Sequence, residues 1–335
     1  MKIAAFSIKS YDKHSLARAN QQHGHELTFF ETRLTPKTAA LAAGFEGVCV
    51  FVNDEVNRDT IEQLAAQGTR VVATRSAGFN HIDLQAAAAH GIVVARVPAY
   101  SPNAVSEFTV GLILTLGRQI HRAFNRVREL NFELGGLEGF ELRDKTIAVF
   151  GTGKIGAAVI KNLSGFGPRI VAYDQYRNPA VKGLCEYMDS PAEIARQADI
   201  ITFHVPLTPE THHFINNQTI PNLKDGVFIV NTSRGALIDT RAVIEGLKSG
   251  KIGYLAIDVY EEEGDLFFED LSNRVVKDDV FARLLTFPNV LVTGHQAFLT
   301  ERALQNIAET TLNNFTQLAA TGTCDNVVTM EKVKG

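Results

Sequence analysis

Apolar and polar positions change period repeatedly along this chain. Short runs rich in β-branched and other apolar residues, such as Ile3-Ala4-Ala5-Phe6 and Val71-Val72-Ala73-Thr74, alternate with stretches whose apolar residues recur at helical spacing. Over the first hundred residues the pattern predicts strands at 3–7, 26–30, 48–52, 71–74 and 92–97. Helices are predicted near 15–22, 38–43, 58–67 and 83–90. A second series of strands follows at 146–150, 169–173, 200–205, 226–231, 254–258 and 290–293. Alternation of this kind predicts α/β architecture with parallel sheets built from βαβ units. Between the two series, 103–130 reads as the longest helix, opened by Ser101-Pro102. An amphipathic helix is expected at 300–320, with a tail at 325–334. Two doubly wound parallel-sheet domains are therefore expected: residues 1–100 plus 300–335, and residues 101–299. The last helix would return to the first domain.

Composition bounds the answer without supplying chemistry. A chain of 335 residues exceeds what one core usually serves, and 45% hydrophobic with 21% charged residues is an ordinary globular balance. The net charge of -4 comes without a block of like charges, which argues against a nucleic-acid partner. The longest apolar run, 110–116, is far short of the roughly 20 residues that span a bilayer, so no membrane partner is expected. The start reaches Ser7 and Lys9 too soon for a signal-peptide core. Cys49, Cys185 and Cys324 are far apart and lack metal-ligand spacing, so they read as reduced thiols of a cytoplasmic protein without a metal.

The first chemical signal is Gly151-Thr152-Gly153-Lys154-Ile155-Gly156, placed directly after strand 146–150 and opening a helix. In that setting the first glycine makes a tight turn, the second lets the backbone approach a pyrophosphate, and the third permits close helix–strand packing. The helix N-terminus offers unpaired N–H groups and a favourable dipole. Asp174 ends the next strand, where its carboxylate can accept bonds from ribose hydroxyls and repel a 2′-phosphate. A Rossmann domain binding NAD is the expectation. Arg177 nearby is the one feature that favours NADP.

Each strand of the second series ends on a residue with chemistry: Gly151, Asp174, His204, Arg234, Asp258 and His295. Ligands of open α/β sheets bind outside the carboxyl ends of the strands, so these six are expected along one edge. Arg234 can bind a carboxylate through two parallel hydrogen bonds. Asp258-Val259-Tyr260-Glu261-Glu262-Glu263 is an acidic run, in which one carboxylate reaching His295 would raise its pKa and fix its tautomer. Spacing does not select which of the three glutamates does so; the other two, like the pair His212-His213, read as solvated loop residues.

Taken together, these residues resemble the D-isomer-specific 2-hydroxyacid dehydrogenases over essentially the whole chain. The resemblance implies a flavodoxin-like substrate domain beside the Rossmann domain, and a catalytic set of Arg234, Glu263 and His295. It also implies that Val205, Pro206, Thr211, Thr232, Ser233 and Asp258 border the cofactor. Arg75-Ser76-Ala77-Gly78-Phe79-Asn80 matches the family's substrate loop, whose amides at Ala77 and Gly78 would hold the substrate carboxylate. On the same resemblance Phe51, Tyr100 and Phe298 would line the side-chain pocket, and crowded aromatics suit a methyl group, hence pyruvate and D-lactate. One methylene is worth only about 1–3 kcal/mol of discrimination, so overlap with larger 2-oxoacids is expected. Residues 265–283 read as an insertion that many relatives lack. A homo-oligomer, dimer or tetramer, is implied, and the apolar surface of 103–130 exceeds what a connector needs. Other reductases of the same family fit these motifs as well. A dinucleotide-sensing binding protein of the same fold would bind NADH and turn over slowly.

Overall fold

The structure, a computed structural model, describes residues 1–329, so the end of the tail expected at 325–334 lies outside the described residues. The chain divides into two compact units, Met1–Ser101 with the chain from Leu299 onward, and Pro102–Phe298. In the first unit, β1 (Lys2–Ala5), β2 (Glu26–Phe29), β3 (Gly47–Val50), β4 (Val71–Thr74) and β5 (Val93–Ala95) form one sheet. All its pairings are parallel and the order is 2-1-3-4-5, the flavodoxin-like order. The helices α1 (Ser10–Asn20), α2 (Arg58–Ala66) and α3 (Leu84–Ala89) connect the strands. Every residue of β3 and β4 is buried, which is why these strands read as unbroken apolar runs. The last helix of the chain, Glu301–Thr321, lays Ala308, Leu312, Phe315 and Leu318 against Ile3, Ala5, Leu16 and Val71. Gly47 makes room for it: a Cβ there would come within 2.8 Å of the Phe315 ring.

Two helices of this unit differ from the sequence expectation. The helix expected from residue 15 begins at Ser10, and Asp12 in its first turn is the reason. Asp12 accepts from the Lys9 amide at 3.2 Å and faces the fully buried Arg75 guanidinium at 3.5 Å. Arg75 also donates to the Phe6 and Ser7 carbonyls at 3.1 and 3.3 Å. The helix start is thus set by a partner more than sixty residues away. The stretch expected as a helix at 38–43 is a short 3-10 turn, Ala39–Ala42.

The second unit begins with α4 (Pro102–Gly117) and α5 (Ile120–Arg128), where one long helix was expected over 103–130. The break falls at Gln119, whose φ of 53° is left-handed, just after Gly117. Then follow β6 (Thr146–Phe150), α6 (Lys154–Ser164), β7 (Arg169–Tyr173), β8 (Glu186–Tyr187), α7 (Pro191–Gln197) and β9 (Ile200–Phe203). The unit closes with β10 (Val227–Asn231), α8 (Thr240–Ser249), β11 (Ile252–Ile257), α9 (Asp279–Leu284) and β12 (Val290–Val292). These seven strands form one parallel sheet in the order 12-11-10-9-6-7-8. It is the doubly wound Rossmann arrangement with one further strand, and its order reverses between β6 and β9. Two-residue β8, at the sheet edge, was not anticipated.

Candidate active site

At the reversal point residues 151–153 join β6 to α6, and residues 154–156 open the helix. Gly151 has φ +89°, and a Cβ on it would run into the His204 carbonyl. A Cβ on Gly156 would overlap the Gly151 carbonyl, so the helix can lie this close to the strand only with glycine at both positions. Gly153 is different: nothing lies within 4 Å of where its Cβ would be. That open backbone, followed by Lys154 and Ile155 in the first turn of α6, fits a pyrophosphate against the helix N-terminus. Asp174 accepts from the Thr152 amide and hydroxyl, at 2.5 and 3.1 Å, and from the Tyr176 amide at 3.0 Å. A carboxylate has about four acceptor sites, so it retains capacity for a ribose hydroxyl. Arg177 is drawn to Asp189 at 2.5 Å and stacks 5.6 Å over the Tyr187 ring. His204, expected among the chemical strand ends, instead supports the loop from beneath. Its Nε2 lies 3.0 Å from the Thr202 hydroxyl, and burial pushes its pKa down to about 3, so the ring is neutral.

Beyond β10, the turn carrying Arg234 is shaped by the fully buried Asn231. Its amide donates to the Arg234 carbonyl at 2.8 Å and its oxygen accepts from Ser233 N at 3.0 Å. Ser233 Oγ donates to the Val205 carbonyl at 2.7 Å, and Thr232 Oγ1 lies 2.9 Å from Thr109 of α4. Thr232 is therefore turned toward α4, while Pro206 is exposed and Val205 and Thr211 are half-buried beside the loop.

After β12, His295 sits in a left-handed conformation with φ 52°. Asp258 holds it there: its carbonyl accepts from His295 N at 2.8 Å, and its carboxylate accepts from Thr293 Oγ1, Gln296 N and Ala297 N at 2.6, 2.9 and 2.8 Å. Fully buried and so committed, Asp258 braces the His295 loop from within the fold. Glu263 Oε1 lies 2.8 Å from His295 Nδ1, and Glu263 Oε2 accepts from Tyr260 N at 3.0 Å. Burial lowers the histidine's pKa, but the hydrogen bond and charge of Glu263, with Asp258 behind, outweigh it and the Arg234 charge; the net shift is upward. With Nδ1 on the carboxylate, Nε2 is the nitrogen left for proton transfer. Phe268, from the insertion at 265–283, lies with its ring tilted, 5.7 Å from the imidazole; nothing in the sequence pattern separates it from a packing residue.

Glu261 was read as solvated and is not. Its Oε1 lies 2.6 Å from His213 Nε2, and its Oε2 accepts from Thr240 N and Oγ1 at 2.9 and 2.6 Å. His213 is accordingly engaged as well, with His212 stacked 3.9 Å from it. Glu262 is exposed. The remaining residues that the resemblance assigns to the substrate lie in the first unit, except Phe298, which is buried at the end of the second. Phe51 is buried in a turn closed by Asp54, which accepts from Phe51 N at 2.6 Å. The Ala77 and Gly78 carbonyls are taken by Arg96 Nη1 at 3.1 Å and Ser76 Oγ at 2.6 Å. Half-buried Tyr100 gives its carbonyl to Asn306. Among the described residues no group of three or more His, Cys, Asp or Glu side chains could hold a metal ion.

A profile of the D-isomer specific 2-hydroxyacid dehydrogenase family, NAD binding domain, matches residues 110–297. The D-lactate dehydrogenase of Escherichia coli is 52% identical over 327 residues, 97% of this chain and 99% of that protein. The apo-structure of D-lactate dehydrogenase from Escherichia coli superposes with a TM-score of 0.89 at 49% identity, covering 98% of this chain and 100% of that one. The D-lactate dehydrogenase from Aquifex aeolicus, complexed with NAD and lactic acid, gives a TM-score of 0.84 at 32% identity, with 95% of each chain covered.

Proposed function

The chain belongs to the D-isomer-specific 2-hydroxyacid dehydrogenases, and from that premise we propose that it interconverts pyruvate and D-lactate with NAD as cofactor. The observation that carries this reading is the His295–Glu263 contact of 2.8 Å beside Arg234, at the strand ends of a dinucleotide-binding sheet. NADH, when bound, supplies the hydride that reaches the carbonyl carbon. Arg234 holds the substrate carboxylate through its planar fork and polarises the neighbouring carbonyl. Protonated His295 gives its Nε2 proton to the carbonyl oxygen as that oxygen gains charge, and Glu263 stabilises the imidazolium beforehand. In the oxidative direction neutral His295 takes the hydroxyl proton. The amides of Ala77 and Gly78 serve the substrate carboxylate, and Phe51, Tyr100 and Phe298 bound its methyl group. The test is NADH consumption with pyruvate, with the chirality of the product assayed. D-lactate at a kcat/KM well above that for bulkier 2-oxoacids, and with NADH preferred to NADPH, is the expected result. L-lactate, or no turnover with pyruvate, would refute the assignment. Equal rates with NADPH would show that Asp174 does not exclude a 2′-phosphate.

We assign the reaction to the cytoplasm, on three free cysteines with no disulfide pairing among the described residues. No described helix is long and apolar enough to cross a membrane. Self-association is assigned to α5, which has no buried residue. Ile120, Phe124 and Val127 recur at helical spacing and are each at least half exposed, and Leu130, Phe132 and Leu134 extend the patch. An exposed apolar stripe of this kind, flanked by Arg122 and Arg126 and followed by Glu129 and Glu133, suits a second copy of the same segment. Phe124→Glu is expected to move the sedimentation-equilibrium mass to that of one chain; an unchanged mass places the interface elsewhere.

A further inference from the structure

The 260–263 turn carries Glu263, yet Glu263 spends its carboxylate on His295 and on Tyr260 N, within its own turn. At its start the turn is held by the Tyr260 hydroxyl, which donates to Asp278 at 2.7 Å; nearer Glu263 it is tied to the rest of the unit by Glu261. Its two oxygens reach two other segments at once. One is the stretch after β9, through His213; the other is the start of α8 just beyond the Arg234 turn, through Thr240. Those segments are themselves tied together, because His213 N donates to the Ala236 carbonyl at 2.8 Å and Ile215 N to the Leu237 carbonyl at 3.1 Å. Gly235 presses on the same place: a Cβ there would collide with the Tyr260 carbonyl and the Glu261 amide. Three segments that the proposed reaction uses therefore meet on one carboxylate.

We propose that Glu261 is a positioning residue, which by gripping His213 and Thr240 fixes the 260–263 turn and so keeps the Glu263 carboxylate on His295. The role rests on the assignment of His295 as the proton donor. The groups that face His295 are Glu263, Asp258 and Arg234, and Glu261 acts on it only through the position of Glu263. Geometry rather than charge is what Glu261 supplies. Glutamine fits the same place: its oxygen can accept from Thr240 while its amide faces His213 Nε2. Alanine releases both segments.

The experiment follows the His295 imidazole titration by NMR in the full-length protein without substrate, assigned with His295→Gln, alongside kcat/KM for pyruvate against pH. Glu263→Gln marks the displacement expected when the carboxylate charge is lost. Glu261→Ala is expected to lower the His295 midpoint by about one pH unit, the lower end of what a neighbouring opposite charge confers. At pH above that midpoint its kcat/KM for pyruvate is expected to fall about 10-fold, the loss of protonated imidazole that a one-unit shift brings. Glu261→Gln keeps the wild-type midpoint, and exposed Glu262→Gln does as well. Thr240→Val, which removes one of the three donors, gives a smaller shift in the same direction and serves if Glu261→Ala does not fold. An unmoved midpoint in Glu261→Ala, or in Thr240→Val should that variant alone fold, with only Tm reduced, would make Glu261 a stability brace and overturn the proposal. A midpoint shift in Glu261→Gln equal to that in Glu261→Ala would overturn it too, since charge would then be the cause. Because the titration is read without substrate, failure of the pyruvate assignment shows separately, as a moved midpoint with no pyruvate turnover in any variant.

Discussion

His295→Gln is expected to lower kcat for pyruvate reduction by about 100-fold or more, the usual contribution of a general acid, while the Kd of NADH stays near its wild-type value. Glutamine keeps a polar group of similar reach but cannot hand over a proton. The cofactor loop lies after β6 and the histidine after β12, at the far side of the sheet order, so NADH affinity has little reason to change. The pH dependence follows from the upward shift of the His295 pKa. Reduction uses the protonated ring, so its rate holds below that raised pKa and falls as pH rises through it. Oxidation uses the neutral ring and rises over the same interval. In His295→Gln both limbs should vanish. Steady-state rates across pH, with fluorescence titration of NADH, decide the matter: retained turnover would mean that water or another side chain supplies the proton.

Arg234→Lys tests geometry at constant charge. The guanidinium donates from Nη1 to the Ser233 carbonyl at 2.7 Å, and that bond sets the plane in which its remaining N–H groups lie. Lysine has no planar fork, and it cannot match a carboxylate with two parallel bonds while keeping an internal one. Losing one charge-assisted hydrogen bond costs about 1.5–3 kcal/mol, so kcat/KM for pyruvate should fall by about 10- to 150-fold. Both parts of the ratio are expected to suffer, KM from weaker anchoring and kcat from a less polarised carbonyl. A rise confined to KM would make Arg234 an anchor alone.

Much of this arrangement is legible from residue order because parallel strands buried on both faces leave unbroken apolar runs. Where each run stops, at Gly151, Asp174, Arg234 or His295, the stopping residue is one that follows the carboxyl end of a strand. His204 stops its run as well, but a neutral ring seated under the glycine loop looks no different in sequence from a reactive one. The acidic run after β11 shows a second limit. Glu261, Glu262 and Glu263 share a composition and differ only in direction: toward Thr240 and His213, toward solvent, and toward His295. Direction is set by the turn, and the turn is set by Gly235 and α8, both from other parts of the chain. The same holds for α1, whose start answers to Arg75, and for the break at Gln119, a residue type that does not announce a left-handed conformation.

The discontinuity of the first unit has a consequence for synthesis on the ribosome. Its sheet is complete by Ala95, but one apolar layer is closed by Ala308, Leu312, Phe315 and Leu318, which leave the exit tunnel only after the whole second unit. The second unit is one uninterrupted stretch, Pro102–Phe298, and needs no later residue for its own core. The usual N-terminal-first order of domain folding is therefore expected to invert here. The first hundred residues wait, with Ile3, Ala5 and Val71 uncovered, until the whole second unit and the helix after it have been made. A nascent chain stalled before residue 300 would expose that layer to chaperones, while one with Leu318 clear of the tunnel would not.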